Sequence, residues 1–173
     1  MKEWKMLTLV GEDRPGIVAK VTDKLFEVGA NLGEASMMRL GANFTIMMMV
    51  DYAGKSDQLE RLLEPVAEEL GLRVHADEVS AHLHRHVEPD VAITVYGADQ
   101  AGIVARVAGA LAEAGLNILE LDSDVAGSEA EPLYIMSIEG VAAEGIEALE
   151  KAMEELEGLE VDVSVRPIET VRG

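Results

Sequence analysis

The sequence has 173 residues, of which 49% are hydrophobic and 27% are charged, a composition typical of a folded globular protein. It contains no cysteine, which excludes disulfides, thiol catalysis and thiolate metal sites. Its 33 acidic and 14 basic residues give a net charge of −19, and a surface this acidic repels phosphate backbones, which argues against direct nucleic-acid binding.

The first half of the chain predicts the order strand, helix, strand, strand, helix, strand. A mostly apolar run at 4–10 is the first predicted strand. Asp13 is the predicted N-cap of the first helix, because its carboxylate can accept from free N–H groups and Pro15 is tolerated in the first turn. Gly29 ends this helix. The remaining predicted elements are strands at 31–40, 44–52 and 72–79 and a helix capped by Ser56 and ended by Gly71.

The second half repeats the first. The letters GEDRPGIVAKV at 11–21 return as GADQAGIVARV at 97–107, 86 positions later. A constant spacing over this length indicates a duplicated unit. A longer predicted turn at 126–132 then raises the offset to 90. The predicted elements of this half are strands at 91–96, 117–125, 133–140 and 159–167 and helices at 101–114 and 143–157.

The doubled βαββαβ order predicts an α+β protein made of two ferredoxin-like domains in tandem. Right-handed crossovers place both helices on one face of each antiparallel sheet. We expect domain 1 at 1–80, a linker at 81–88 and domain 2 at 89–173. Apolar residues occupy both the odd and the even positions of the predicted strands, which face opposite sides of the sheet. We therefore expect the open face of the sheet to be covered.

A βαββαβ unit whose first strand runs into GEDRPGI, with Gly29-x-Asn31 after the helix, resembles the ACT domain. This family comprises small regulatory modules that bind amino acids. The segment NLGEASMMRLGANFTIM from Asn31 and the segment GLNILE from Gly115 resemble tandem-ACT proteins of the glycine cleavage system transcriptional repressor type. The resemblance covers nearly the whole chain. It implies an amino-acid ligand such as glycine, bound where two domains meet.

The start of the first helix in each copy is the predicted ligand site. Free N–H groups and the helix dipole suit a carboxylate there, a glycine allows close approach, and an asparagine offers both donors and acceptors. The same pattern is also ordinary capping and turn chemistry, and that interpretation stays open. Because Gln100-Ala101 replaces Arg14-Pro15, we do not expect the copies to bind equally. The predicted ligand-binding residues are Asp13, Arg14, Gly16, Ile17 and Asn31 in copy one, and Asp99, Gly102, Ile103 and Asn117 in copy two.

Two other groups of side chains have a functional and a structural interpretation. On an extended chain, His82, His84 and His86 share one side and offer a zinc or nickel site, whereas histidines in a polar connector are commoner. Met37, Met38 and the run at 47–49 offer an adaptable protein-binding face, whereas such residues more often fill a core or a seam between sheets, which is the interpretation favoured here.

The sequence predicts a regulatory protein rather than an enzyme. It has no nucleophile elbow, Walker loop or His-Glu-x-x-His motif. No secretory signal begins the chain and no apolar run approaches the roughly 18 residues of a membrane span, which predicts a soluble cytoplasmic protein. We expect no cofactor, an amino-acid ligand, a protein partner such as a transcription factor, and a homodimer. One alternative is an ACT-type oligomerisation module without ligand, and a second is a metal-dependent or hydrolytic enzyme that uses the histidine cluster.

Overall fold

A computed structural model describes residues 3–79, 87–98, 101–128, 131–156 and 158–168. The chain divides into two units, Met1–Arg85 and His86–Gly173. This division falls within the predicted linker at 81–88, most of which lies outside the described residues.

The first unit is a four-stranded antiparallel sheet with two helices. Its strand order is β2-β3-β1-β4, so the first strand lies between the third and the fourth. This is the ferredoxin-like arrangement that the sequence predicts. Its elements are β1 Trp4–Glu12, α1 Ile17–Glu27, β2 Asn31–Leu40, β3 Asn43–Asp51, α2 Ser56–Leu70 and β4 Leu72–Glu78.

The second unit repeats this arrangement with strand order β6-β7-β5-β8. In both units the edge strand carries an irregularity at the same place in the repeat, between Leu32 and Ala35 and between Ile118 and Glu120. The predicted fold class is therefore confirmed. The elements are β5 Val91–Ala98, α3 Ile103–Glu113, β6 Leu116–Ser128, β7 Glu131–Ala142, α4 Ile146–Glu154 and β8 Val161–Pro167.

One apolar stripe of each first helix packs on the sheet. Ile17, Val21 and Leu25 of α1 are buried, as the helical spacing predicts. On β1 every second residue is buried against the helices, including Leu7 and Leu9, while the residues between them are half-buried on the other face. The equivalent stripe in α3 is Ile103, Val107 and Leu111.

The methionines of the first unit fall into two environments. Met48 and Met49 are buried, whereas Met37, Met38 and Met47 are about half exposed. The favoured interpretation, that these residues fill a core or a seam, holds for Met48, which belongs to the core cluster of this unit, whereas Met49 is buried outside that cluster.

Two predicted features differ in the structure. The insertion of the second copy extends the hairpin rather than its turn, since Ala126 pairs with Leu133 and Gly127 with Pro132 inside the stretch predicted as a turn. Helix α2 begins at Ser56 and takes Lys55 as its N-cap, so Ser56 does not cap it. The side-chain hydroxyl of Ser56 is buried with no hydrogen-bond partner.

Candidate ligand site at the start of the first helix

Helix α1 begins four residues later than Asp13, the predicted N-cap. Gly16 holds the N-cap position with φ of 87°, a left-handed conformation that cannot continue into a right-handed helix, so 15–16 form a turn and helical geometry begins at Ile17. No side chain among the described residues caps the helix start. A Cβ placed on Gly16 would meet no atom within 4 Å, so the space in front of the helix is open.

The carboxylate of Asp13 is engaged elsewhere. Its Oδ2 lies 2.6 Å from Nε of Arg39 on β2, and its backbone N–H donates to the carbonyl of Ala42 at 2.9 Å. These two contacts fix the loop to the β2–β3 hairpin. The prediction that Asp13 caps the helix is therefore wrong, and its carboxylate already has a cation as its partner.

The other loop residues divide between surface and core. The guanidinium of Arg14 is about half exposed and pairs with Glu12 at 3.0 Å. The side chain of Ile17 is 2% exposed and belongs to the core. Any contact between Ile17 and a ligand must therefore come from its backbone N–H group.

Asn31 lies at the other end of the sheet. It pairs with Asp51, which pairs with Trp4 at the start of β1, whereas the loop follows the end of β1. Eight steps along a strand span about 26 Å. Within one unit, Asn31 and the helix start cannot contact the same small ligand.

The second unit has the same helix start. Gly102 is the N-cap of α3 with φ of 84°, and no side chain of the described residues caps this helix. A Cβ placed on Gly102 would again meet no atom within 4 Å. Ile103 is buried, and Asn117 again lies at the far end of the sheet from the helix start. Asp99 lies outside the described residues.

Another repeated glycine is explained by packing. A Cβ on Gly11 would lie 2.7 Å from the carbonyl oxygen of Gly71, and a Cβ on Gly97 would lie 2.7 Å from that of Glu160. In both units the turn before the last strand passes too close to the first strand for any side chain. Part of the repeated motif therefore serves the fold and not a ligand.

The predicted histidine site at His82, His84 and His86 lies outside the described residues. Elsewhere in the described part of the chain, no group of three or more His, Asp or Glu side chains has an arrangement that could hold a metal ion. None of the described helices is long and apolar enough to cross a membrane.

Comparison with known families identifies both units. Residues 6–77 and residues 91–158 each match the ACT domain. The chain belongs to the ACT domain family. It carries two ACT domains in tandem, as the repeated motif and the doubled βαββαβ order predict.

Several relatives match about half of this chain. A UPF0237 protein of Listeria innocua is 33% identical in an alignment 85 positions long, which covers 46% of this chain and 96% of that protein. A UPF0237 protein of Methanococcus maripaludis is 32% identical in an alignment of the same length, which covers 46% of this chain and 94% of that protein. These relatives correspond to about half of the tandem chain.

Two solved structures share the whole tandem fold. An unknown protein from Galdieria sulphuraria has a TM-score of 0.75 at 23% identity, and the match covers 98% of this chain and all of that one. A protein provisionally assigned as a glycine cleavage system transcriptional repressor has a TM-score of 0.73 at 20% identity, covering 98% and 99% of the two chains. At these identities the likeness shows the fold of the tandem ACT protein.

Proposed function

We propose that this protein is an amino-acid-responsive regulator whose loops before α1 and α3 bind the carboxylate of a small amino acid such as glycine. The observation that carries the proposal is the start of each helix behind Gly16 and Gly102, which no described side chain caps and where a Cβ on the glycine would meet no atom within 4 Å. The first N–H groups of a helix and its dipole favour a negative charge. Membership of the ACT family supports an amino acid as its source.

The proposed mechanism is thermodynamic linkage. A bound amino acid shifts the protein toward the conformation that binds it more tightly, and only a difference in affinity between conformations can do so. The favoured conformation then presents a surface to a protein partner such as a transcription factor. The net charge of −19 supports action through a protein rather than contact with DNA. We propose that the protein acts as a homodimer.

The regulated process that we propose is glycine cleavage or related amino-acid metabolism. Support comes from the fold shared with the protein assigned as a glycine cleavage system transcriptional repressor. We propose a regulatory role without catalysis, without a cofactor and in the cytoplasm. The first unit is proposed as the stronger site, because it carries Arg14 where the second unit has Gln100, provided that the ligand's carboxylate replaces Glu12 as the partner of that guanidinium.

A second candidate function is an oligomerisation module without ligand. The observation that favours it is the internal engagement of the motif, since Asp13 pairs with Arg39 and Gly11 is required by the close approach of Gly71. On this alternative the ACT units act only through their surfaces.

The deciding experiment is a thermal-shift screen with the twenty amino acids, followed by calorimetry. A ligand at one hundred times its Kd adds about 2.7 kcal/mol to the stability of the unit that binds it, which raises Tm by several degrees. We expect such a rise for glycine or another small amino acid. Absence of both binding and a Tm shift for all twenty would favour the oligomerisation module.

Matched glycine variants locate the binding. Gly16→Ala puts a methyl group in the open space before α1, and Gly29→Ala imposes a similar left-handed strain (φ of 76°) beyond the other end of the helix. We expect the Gly16 variant to lose affinity and the Gly29 variant to keep it. Equal affinities would rule out the loop. A loss of affinity in Asn31→Ala would show that the ligand contacts a second ACT domain.

A further inference from the structure

The first unit has a polar groove at the start of α2. It is an open groove of about 650 Å³ whose lining includes Trp4, Lys5, Lys55 and Gln58, with Glu3 and Glu78 at its side. It lies where β1 begins, at the opposite end of the sheet from the loop before α1. The pocket is therefore separate from the site proposed above.

Lys5 is a buried cation in this pocket. It is only 4% exposed and shares the helix-facing side of β1 with Leu7 and Leu9, where an apolar residue is expected. The nearest carboxylates are those of Glu78 at 3.7 Å and Glu3 at 3.9 Å from its Nζ. Both distances exceed a hydrogen bond, so neither carboxylate accepts one from the ammonium group. A buried ammonium needs such partners, and an incoming anion can supply them.

The start of α2 adds a second positive feature. Lys55 is its N-cap, although a lysine side chain has no acceptor and its charge lies at the positive end of the helix dipole. Its backbone N–H donates to Oε1 of Gln58 at 3.1 Å. The neighbouring hydroxyl of Ser56, the first helical residue, is buried without a partner. Two lysines and a helix N-terminus thus face one groove, where their charges favour an anion, although Asp57 in the first turn of α2 offsets part of the helix dipole.

The second unit shows that the fold does not need these residues. Eighty-six positions after Lys5 stands Val91, which is fully buried, and ninety positions after Lys55 stands Gly145, the N-cap of α4. Both lysines are therefore replaced at once by uncharged residues in the other copy. The charged groove belongs to the first unit alone, which is expected of a binding site and not of a folding requirement.

We propose that this groove binds a free α-amino acid by its two charged ends. The carboxylate lies between Lys5, Lys55 and the first N–H groups of α2, and the ammonium group faces Glu3 and Glu78. An inorganic anion would meet both glutamates unfavourably, whereas a zwitterion matches both signs of charge. The ligand class follows the proposed function, but the place does not depend on the loop before α1.

Isothermal titration calorimetry tests this proposal. Trp4 is among the residues that line the groove, but its indole packs against Gly33 on the other face of the sheet from Lys5, so fluorescence does not measure the binding. We expect saturable binding of glycine, leucine or glutamate. Acetate, methylamine and inorganic phosphate, which carry only one sign of charge, should give at least tenfold weaker binding. Equal binding of acetate or phosphate would overturn the zwitterion and indicate a general anion site.

Two variants copy the second unit into the first. Lys5→Val and Lys55→Gly should each raise the calorimetric Kd at least tenfold, and Lys5→Val should keep or raise Tm because it removes a buried charge. Lys151→Ala, on the exposed face of α4, is the control and should leave the Kd unchanged. Unchanged Kd in both groove variants would overturn the proposal, and Lys55→Gly decides alone if Lys5→Val fails to fold.

The outcome also separates this proposal from the site before α1. Calorimetric binding that Gly16→Ala abolishes and Lys5→Val leaves unchanged would overturn the groove and leave the loop site intact. Calorimetric binding that Lys5→Val abolishes and Gly16→Ala leaves unchanged would support the groove and remove the loop. Absence of any amino-acid binding would overturn both.

Discussion

Single glycines set the start of the first helix in both units. Gly16 and Gly102 have φ near +85°, a conformation that costs an L-residue about 1–2 kcal/mol. Each ends a turn and begins a helix without a side-chain cap. Backbone geometry therefore requires glycine at both positions, whichever ligand the loop binds.

A pair of glycine variants in the second unit tests this claim. Gly102→Ala should lower the free energy of unfolding by about 1–2 kcal/mol because of its positive φ. Gly109→Ala, inside α3 with equally free space around its Cβ position, should raise it by about 0.5–1 kcal/mol. Urea unfolding measures both. A neutral Gly102→Ala would contradict the left-handed assignment.

At the scale of single residues, the sequence predicts which side chains are buried better than it predicts which side chains pair with one another. The helical spacing identifies Val21 and Leu25 as buried, because periodicity reports which side faces the core. It cannot show that Asp13 pairs with Arg39, which is 26 residues away, in preference to the helix next to it. The pattern of β1 alone does not predict that Lys5 is buried. An alignment of the two copies puts the apolar Val91 at the position equivalent to Lys5, and this comparison could have predicted the burial.

In each unit the turn before the last strand lies close to the end of the first strand. The turn between α2 and β4 brings the carbonyl of Gly71 against Gly11, and the turn before β8 brings that of Glu160 against Gly97. Strand limits are predicted within a few residues, because alternation and turn residues mark them. The hairpin of the second unit is mispredicted because Gly127 and Pro132 are typical of turns yet pair across the two strands.

The close approach predicts equal sensitivity in the two units. Gly11→Ala and Gly97→Ala each place a methyl group against a backbone carbonyl, which cannot move as a flexible side chain can. We expect each to lower the free energy of unfolding by about 1–3 kcal/mol, measured by urea unfolding. A loss below about 0.5 kcal/mol in either variant would show that the turn shifts to make room.

At the scale of the whole molecule, the described buried residues form two cores. One cluster contains residues of the first unit only, and the other contains residues of the second unit only. Leu25 and Leu111 hold the same place in the repeat and are both fully buried. A regulator built this way can let one unit respond to a ligand while the core of the other is unchanged.

Matched truncations in the two cores test this independence. Leu25→Ala and Leu111→Ala should each destabilise the unit that contains it by about 2–5 kcal/mol. Because Trp4 belongs to the first unit and is the single tryptophan, its fluorescence should follow urea unfolding of that unit. Leu25→Ala should lower the fluorescence midpoint, whereas Leu111→Ala should lower only the midpoint of part of the circular-dichroism signal. An equal decrease of the fluorescence midpoint in both variants would show that the two units unfold together.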